Sequence, residues 1–411
     1  MSRRVVVTGM AGLSPIGSDW KTVRDALTTG RSGVQRMAEW DEIDGLETRL
    51  GAPVRDFNPP DHYGRKKTRA MGRLSLMATR ASELALLDAG LLDDPILGSG
   101  RCGVSYGSSS GSPAGMSVYG RQLYAGRTTR GIGANAYLQL MSHTCAANIA
   151  LFFGLKGRVI PSSTACTSGS QGIGFAFEAI RYGQQDVMLA GGAEELDEMV
   201  ATVFDILFAS STRNDEPDQT PRPFDIERDG LVAGEGAGTL VLEDLERARG
   251  RGAPIYAEVL GFGTTCDGVH LTTPDPGGME RAMRAALDDA GIPVSEVGYV
   301  NAHATATERG DIAESQATHA VFGDTIPVST LKGHMGHTLG ACGALETWMS
   351  VEMMREGWIA PTLHLATVDE RCAPLDYVRG QTRRLDFDTL VANNFAFGGV
   401  NTSLVLRRFT G

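Results

Sequence analysis

The sequence lacks the features of a membrane-spanning or nucleic-acid-binding protein. No apolar run reaches the roughly 18 residues that a membrane-spanning helix needs. Acidic residues outnumber basic ones, 49 to 38, and the resulting net charge of −11 argues against nucleic acid or an anionic membrane as the main partner. The first residues resemble a signal peptide, but their apolar run is short and β-branched and ends in Thr-Gly. We interpret it as a first strand, and we expect a cytoplasmic protein with no membrane insertion.

Cysteine is also scarce, with six residues in 411, and no two of them form a Cys-x-x-Cys pair. A chain of this length does not need disulfides for stability, so neither a disulfide framework nor a zinc ribbon is expected. Most of these thiols are expected to be small buried apolar groups. The glycine-rich segments contain neither a dinucleotide-binding motif at a strand–helix junction nor a phosphate-binding loop, and we expect no nucleotide cofactor.

Short β-branched runs alternate with helical patterns along the whole chain. This alternation is typical of βαβ units around a mostly parallel, buried sheet, which places the chain in the α/β class. The predicted strands cover 4–8, 103–106, 186–190, 255–260 and 297–301, and the predicted helices cover 71–89, 170–182, 278–290 and 341–355.

A weak internal repeat divides the sequence. ALLDAGL at 85–91 and ALDDAGI at 286–292 each end a predicted helix that precedes a predicted strand, and AIRYG and MMREG end later helices in the same order. Glycine favours helix ends, so a single match means little. The common order predicts two similar α/β halves, residues 1–250 and 251–411, with their boundary near 245–254.

Cys166 lies where a predicted strand meets a helix start, in the stretch STACTSGSQGIG at 163–174. The free N–H groups and the positive dipole end of a helix N-terminus stabilise a thiolate. The small and apolar residues that follow predict a buried helix. The same stretch is equally compatible with an inert buried cysteine.

A histidine follows the predicted strand at 297–301. In VNAHATATERGDIAE, His303 is followed by Thr305 and Thr307, and the carboxyl end of a parallel strand is where α/β folds place their sites. A lone histidine is, however, more often a hydrogen-bonded core residue.

A second histidine-rich segment, STLKGHMGHTLG, places Lys332, His334 and His337 in a glycine-rich turn. His-x-x-His could be a metal site, but this pair lies in a loop with no acidic residue between, and no metal is expected. The segment NNFAFGGVN at 393–401 permits a sharp turn whose N–H groups could form half of an oxyanion hole, or it is a simple hairpin. Together, a thiol, two imidazoles, a lysine and this turn are the groups needed to form and consume a thioester.

At these motifs the sequence resembles the β-ketoacyl-acyl-carrier-protein synthases, the elongating condensing enzymes of fatty-acid synthesis. The resemblance runs from VVVTGMAGLSPIG to NTSLVLRR and includes GSSSGSP, AGGAEE, RPFDIERDGLVAGEGAG and LKGHMGH. It implies the thiolase fold, two duplicated α/β halves in five α-β-α-β-α layers, usually as a homodimer. GSSSGSP favours the synthase I type among the synthase I and II enzymes.

The resemblance also implies roles for individual residues. The implied catalytic residues are Cys166 as the acylated nucleophile, His303 and His337 as the paired histidines, Lys332 in a charge network with Glu314, and Phe397 as the gating residue whose N–H completes the oxyanion hole. The implied substrate-binding residues are Thr305, Thr307, Phe395 and Gly107. No cofactor is implied other than the phosphopantetheine arm of the acyl carrier protein.

The implied reaction transfers an acyl group to Cys166 and then condenses it with a malonyl carrier protein. Loss of carbon dioxide leaves an enolate, which two neutral histidines must hold through N–H groups, so their tautomers must be controlled. The same chemistry in a dedicated polyene or polyketide pathway, with a chain-length-factor partner, remains the alternative. A non-catalytic subunit or a degradative thiolase fits the residues less well.

The carrier protein is expected to be acidic, and the basic stretch RKKTRAMGR at 65–73 is its expected docking site, through Arg65, Lys66, Lys67 and Arg69. A solvated basic helix start would look the same. The sequence also departs from the family pattern, since Ala304 and Ala396 replace glycines. We hypothesise that Ala396 stiffens the gating turn, because alanine adopts a positive φ only at a cost. FDILFASST at 204–212 is bulkier than expected near the acyl pocket.

Overall fold

The computed structural model describes residues 2–411. In the first half the elements are β1 (Val5–Leu13), α1 (Trp20–Thr29), β2 (Gln35–Arg36), β3 (Leu50–Ala52), α2 (Arg65–Thr68), α3 (Arg73–Asp88), β4 (Cys102–Gly107), α4 (Pro113–Tyr119), α5 (Ala134–Leu140), α6 (Thr144–Phe153), β5 (Val159–Ser162), α7 (Ser168–Arg181), β6 (Val187–Glu194), α8 (Glu198–Asp205), β7 (Ala233–Gly234), β8 (Gly236–Asp244) and α9 (Leu245–Gly250). In the second half they are β9 (Ala257–Cys266), α10 (Pro276–Ala290), β10 (Tyr299–Asn301), α11 (Glu308–Phe322), β11 (Pro327–Ser329), α12 (Lys332–Met335), α13 (Cys342–Glu356), β12 (Trp358–Ile359), β13 (Asp376–Tyr377), β14 (Arg383–Arg384), β15 (Thr389–Ala396) and β16 (Val400–Arg408).

The predicted strands and helices are all present, and the helix bounds differ from the prediction by no more than two residues. Strands β1 and β9 extend well beyond the prediction because their glycines do not end them. A Cβ atom on Gly9 would lie 2.3 Å from the Ala85 carbonyl oxygen, and one on Gly261 would lie 2.3 Å from that of Ala286. These glycines therefore allow α3 and α10 to approach the strands closely.

The same contacts explain the sequence repeat. Asp88 and Asp289 occupy matching positions in ALLDAGL and ALDDAGI. The Asp88 carboxylate accepts the N–H of Met10 in β1 at 2.9 Å, and Asp289 accepts that of Phe262 in β9 at 3.1 Å. Each repeat therefore ends a helix and fixes it to the first strand of its own half.

The strand order also repeats. One sheet runs β5-β4-β6-β8-β1 through the first half and β9-β16-β15-β10-β11 through the second, with β13 at the far edge. In each half the three strands nearest the centre, β1-β8-β6 and β9-β16-β15, pair antiparallel. The strands further out, β6-β4-β5 and β15-β10-β11, pair parallel. The halves join where Val5–Val7 of β1 pair with residues 257–259 of β9. The predicted boundary falls in the connection between β8 and β9.

Helices form three layers around the sheet. In the middle, α7 and α13 pack on each other and on strands of both halves, whereas α3 and α6 cover the first half and α10 and α11 the second. The central layer is tightly packed, since a Cβ on Gly192 would lie 2.1 Å from the Gly340 carbonyl oxygen. This arrangement has the five α-β-α-β-α layers and the two duplicated halves that the resemblance implies. Within residues 2–411 no helix combines the length and the apolar character needed to cross a membrane.

Candidate active site

Cys166 lies in a single 3-10 turn, Ala165–Thr167, between the end of β5 and the start of α7. The turn is sharp because Ala165 adopts the left-handed conformation, with φ of 50°. Ser168 fixes it, since its hydroxyl accepts the N–H of Thr164 at 2.9 Å and donates to the Ala165 carbonyl at 2.7 Å. The thiol is buried at the N-terminal end of the buried helix α7, as predicted.

His337 approaches the thiol directly, with Nε2 3.0 Å from Cys166 Sγ. The backbone N–H of Leu339 donates to its Nδ1 at 3.3 Å, so the ring proton of the neutral imidazole is on Nε2. Burial and the Lys332 charge hold the pKa of His337 well below its usual range. His337 is therefore a neutral donor directed at the sulfur.

His303 follows strand β10, and its ring lies 5.0 Å from the His337 ring at 85°. Burial and the charge of Lys332 also hold the pKa of His303 well below its usual range. Its Nδ1 is 3.4 Å from Asn394 Nδ2, and this amide is oriented by its 2.9 Å hydrogen bond to the Glu346 carboxylate. A donor at Nδ1 again places the ring proton on Nε2.

The thiol and the two imidazoles meet closely enough to hold a metal ion, since one atom of each lies within 4.8 Å of the others. The hydrogen bonds oppose that use. A histidine that binds a metal usually donates its other ring N–H to an acceptor, whereas here both Nδ1 atoms face donors. Each Nε2 then carries a proton and has no lone pair for a metal. The His-x-x-His pair is not formed either, because His334 instead faces the carbonyls of Arg31 and Pro361 at 3.3 Å each.

Lys332 is fully buried and forms an ion pair with Glu346, which the sequence analysis missed. The predicted partner, Glu314, is hydrogen-bonded elsewhere. Its carboxylate accepts the backbone N–H groups of His303 at 2.7 Å and Ala304 at 2.6 Å, and so fixes the loop that carries His303. The predicted charge network therefore has its ion pair at Glu346, and Glu314 interacts with the Lys332 charge without a direct contact. The available signal for Glu346 was a single carboxylate inside the otherwise apolar stretch CGALETWMS.

The expected stabilised thiolate is not what this site favours. Burial raises the pKa of the Cys166 thiol from 9.0 to about 12, and the Lys332 charge opposes this rise only in part. Three pKa units correspond to about 4 kcal/mol, whereas a helix dipole contributes at most about 2 kcal/mol. The resting group is therefore a thiol.

A cavity of about 520 Å³ contains both the reactive groups and most of the predicted substrate-binding residues. Its lining includes Cys166, His303, His337, Thr305, Thr307, Glu314, Phe395 and Phe397. The Thr305 and Thr307 hydroxyl oxygens are 3.0 Å apart. Lys332 lies outside the lining, buried beneath it.

Gly107 is the predicted substrate-binding residue that the structure places elsewhere. It ends β4, where a Cβ atom would lie 2.6 Å from the carbonyl oxygens of Ser162 and Ser168. Its visible role is to allow β4, β5 and the start of α7 to pack closely.

Phe397 follows strand β15, and its ring packs against Phe204 with a centroid distance of 5.7 Å. The turn takes its positive φ angles at Gly398 and Gly399, 86° and 72°. Ala396 instead ends the extended strand β15 and pairs with Val400. The hypothesis that Ala396 stiffens the gating turn therefore loses its physical basis, because Ala396 does not adopt a positive φ.

The predicted carrier-docking residues Arg65, Lys66, Lys67 and Arg69 are exposed on and just after α2. The Lys67 ammonium lies 4.9 Å from the Phe152 ring centre. Arg73, the last basic residue of this stretch, forms an ion pair with the buried Glu235 at 2.7 Å and belongs to the fold instead.

Comparison with known proteins agrees with this geometry. The profile described as "Beta-ketoacyl synthase, N-terminal domain" matches residues 2–248, and the corresponding C-terminal profile matches residues 256–366. 3-Oxoacyl-[acyl-carrier-protein] synthase 1 of Haemophilus influenzae is 36% identical over the full length of both chains.

Two solved structures are also similar along the whole chain. A β-ketoacyl synthase from Burkholderia phymatum STM815 is 55% identical with a TM-score of 0.98, covering 99% of this chain and 100% of that one. The ishigamide ketosynthase/chain length factor is 33% identical with a TM-score of 0.92, covering 100% of both. The chain is a member of the β-ketoacyl synthase family.

Proposed function

We propose that this protein is a 3-oxoacyl-acyl-carrier-protein synthase. It condenses an acyl group held on Cys166 with malonyl-acyl carrier protein in fatty-acid elongation, in the cytoplasm. The observation that carries the proposal is that two neutral imidazoles, both with the proton on Nε2, converge beside a buried thiol. Such a pair can donate two hydrogen bonds to an enolate oxygen without itself accepting a proton.

In the first half-reaction the Cys166 sulfur attacks the thioester carbonyl of the acyl carrier protein. A new carbon–sulfur bond forms, the bond to the carrier sulfur breaks, and the proton of the Cys166 thiol ends on the released carrier thiol. The backbone N–H groups of Cys166 and Phe397, at the wall of the same cavity, are proposed to hold the developing oxyanion.

In the second half-reaction the malonyl group loses carbon dioxide, and its bonding electrons form an enolate. The N–H groups of His303 and His337 bind the enolate oxygen, and its carbon then attacks the acyl-cysteine carbonyl. The Cys166 sulfur leaves as a thiolate, which takes a proton from solvent, and a 3-oxoacyl group two carbons longer stays on the carrier. Loss of one such donor costs about 3 kcal/mol of transition-state stabilisation.

The test separates the two half-reactions. Octanoyl carrier protein is expected to add one octanoyl group, seen as intact mass, and Cys166→Ala is expected to abolish the adduct. Cys266→Ser, which alters an exposed cysteine, is the matched control and should keep it. His303→Ala should still be acylated but should form the 3-oxodecanoyl product from malonyl carrier protein about a hundredfold more slowly. Failure of the wild type to form any adduct at Cys166 would refute the proposal.

Two partners belong to this proposal. The exposed cations of α2 are proposed to dock an acidic acyl carrier protein. The edge strand β5 is proposed to pair with a second copy, because Val159 is 44% exposed on it and Leu151, 80% exposed, lies on the adjacent α6. Native mass spectrometry is expected to show a homodimer, and Val159→Lys is expected to weaken it.

The second candidate function uses the same chemistry in a dedicated polyene or polyketide pathway with a chain-length-factor partner. The likeness to the ishigamide ketosynthase/chain length factor favours it. Acylation by a conjugated chain but not by saturated chains, or only in the presence of a second subunit, would establish this alternative.

A further inference from the structure

The mouth of the active-site cavity carries an exposed apolar surface. Leu207, Phe208 and Leu271 line the cavity and are 44%, 94% and 71% exposed. Ile206, next to Leu207, and Val269, two residues before Leu271, are 68% and 76% exposed. We call these five residues the apolar rim. Large apolar side chains grouped on a surface mark an interaction site more often than scattered ones do.

The fold does not account for Phe208. It follows the last turn of α8, where the N–H of Ala209 bonds to the Phe204 carbonyl at 2.9 Å and the N–H of Phe208 to that of Asp205 at 2.9 Å. Such a helix end takes glycine or asparagine at the left-handed position, yet here phenylalanine adopts φ of 52°. Because the side chain is almost fully exposed, burial gives nothing in return for this conformation.

A cation lies at the same opening. Arg309, the second residue of α11, is exposed and lines the cavity together with Thr305 and Thr307. The substrate reaches Cys166 on a phosphopantetheine arm, whose phosphodiester stays at the carrier surface. An arginine at the mouth has the charge and geometry to bind that phosphate.

We propose that the apolar rim is a docking surface for the acyl carrier protein, and that Arg309 pairs with the phosphodiester of its arm. This inference rests on the proposed function, and it identifies residues at the cavity mouth that contact the carrier. The carrier is the occupant because its arm has to pass this rim to reach Cys166. The rim then contacts apolar side chains of the carrier beside the attachment point of the arm, and it is separate from the cations of α2.

The first experiment compares acylation of Cys166 by octanoyl carrier protein and by octanoyl-N-acetylcysteamine. The variants are Phe208→Asn, which keeps a residue suited to the left-handed conformation, and Leu271→Ser. Each is expected to lower the ratio of the two kcat/KM values about tenfold, as for an interface residue of about 1.4 kcal/mol. Leu87→Ser on the outer helix α3, also an exposed leucine, is the control and should leave the ratio unchanged.

A second comparison isolates the phosphate. Arg309→Gln should reduce the reactivity of octanoyl-phosphopantetheine more than that of octanoyl-pantetheine, which lacks only the phosphate. Phe208→Gly should raise the melting temperature while it lowers the carrier ratio, because glycine relieves the left-handed strain and removes the contact.

Several results would overturn the inference. An unchanged ratio of the two kcat/KM values in both rim variants would show that the rim does not contact the carrier. A change of oligomeric state in Phe208→Asn by native mass spectrometry would assign the rim to a subunit interface, and loss of binding to phosphatidylglycerol vesicles would assign it to a lipid surface. If the wild type reacts with neither octanoyl substrate, the proposed function itself fails. If it reacts with both and the ratios do not move, only the docking inference fails.

Discussion

Stability should fall with rising pH because of Glu194, a carboxyl group buried between the halves. Burial raises its pKa from 4.5 to about 7. A carboxyl with a higher pKa in the folded state binds a proton on folding, so its stabilising effect is complete below about pH 4.5 and is lost as the pH passes about 7. Each pKa unit is worth about 1.4 kcal/mol, so the loss approaches about 3 kcal/mol at pH 8.

Glu194→Gln should remove the share of the pH dependence that comes from this carboxyl, and leave the share of other buried carboxyls such as Glu314 and Asp311. One carboxylate oxygen accepts the N–H groups of Gly340 at 2.9 Å and Ser109 at 3.1 Å, and a glutamine oxygen can do the same. The other oxygen has no hydrogen-bond partner, so the new NH2 group is unpartnered and costs about 1–3 kcal/mol at every pH. The variant is therefore expected to be less stable than the wild type at pH 5 and equally or more stable at pH 8.

The assay is the melting temperature of both proteins at several pH values between 5 and 8. An unfolding entropy of about 2.1 cal/mol/K per residue gives about 0.9 kcal/mol/K for the whole chain. About 2.5 kcal/mol of the loss falls between pH 5 and 8, so the difference between the two melting temperatures should change by about 3 °C across this range. Glu246→Gln, a change at an exposed carboxylate on α9, should follow the wild-type curve. Parallel curves for Glu194→Gln and the wild type would refute the reasoning.

Three further predictions concern the packing and charge of the chain. Glu346→Gln leaves the buried Lys332 ammonium without its partner and should lower the free energy of unfolding by about 3–5 kcal/mol in urea titrations, whereas a loss under 1 kcal/mol would mean that the lysine deprotonates instead. Lys66→Gln should reduce kcat/KM for octanoyl carrier protein without changing the melting temperature. Arg73→Gln should lower the melting temperature because its carboxylate partner is buried. The opposite pattern would contradict the assignment of Lys66 to carrier docking and of Arg73 to the fold. Gly192→Ala should yield little soluble protein, because its Cβ would collide with backbone atoms of the central layer, and normal expression with an unchanged melting temperature would show that this layer can expand.

The sequence predicted the fold well because its main signals are local. The repeated ALLDAGL and ALDDAGI segments carry the alanines that pack on strand glycines and the aspartates, Asp88 and Asp289, that fix each helix to its strand. Strands β1 and β9 are predicted too short because these glycines look like the ends of the strands. From sequence alone, a glycine inside a strand that lets a helix pack closely against it looks the same as a glycine that ends the strand.

The charge network of the site could not be predicted because its partners lie on different elements, and only the fold brings these elements together. Lys332 and Glu346 are 14 residues apart on different elements, and Asn394 reaches both Glu346 and His303 from strand β15. Glu314 was the candidate that the resemblance implied, but its carboxylate is occupied by two backbone N–H groups. The packing of α12 and α13 within the second half decides which carboxylate pairs with the lysine.

The hydrogen bonds at the histidines also limit which groups can move protons. Because donors at Nδ1 leave the proton of His303 and His337 on Nε2, neither ring can take the proton of Cys166 while it stays neutral. The Lys332 charge opposes a second proton on either ring, and the same charge favours a thiolate. One buried cation thus keeps both imidazoles as donors and eases sulfur ionisation. Neither neutral ring is therefore the acceptor of the thiol proton, which in the proposed mechanism ends on the released carrier thiol.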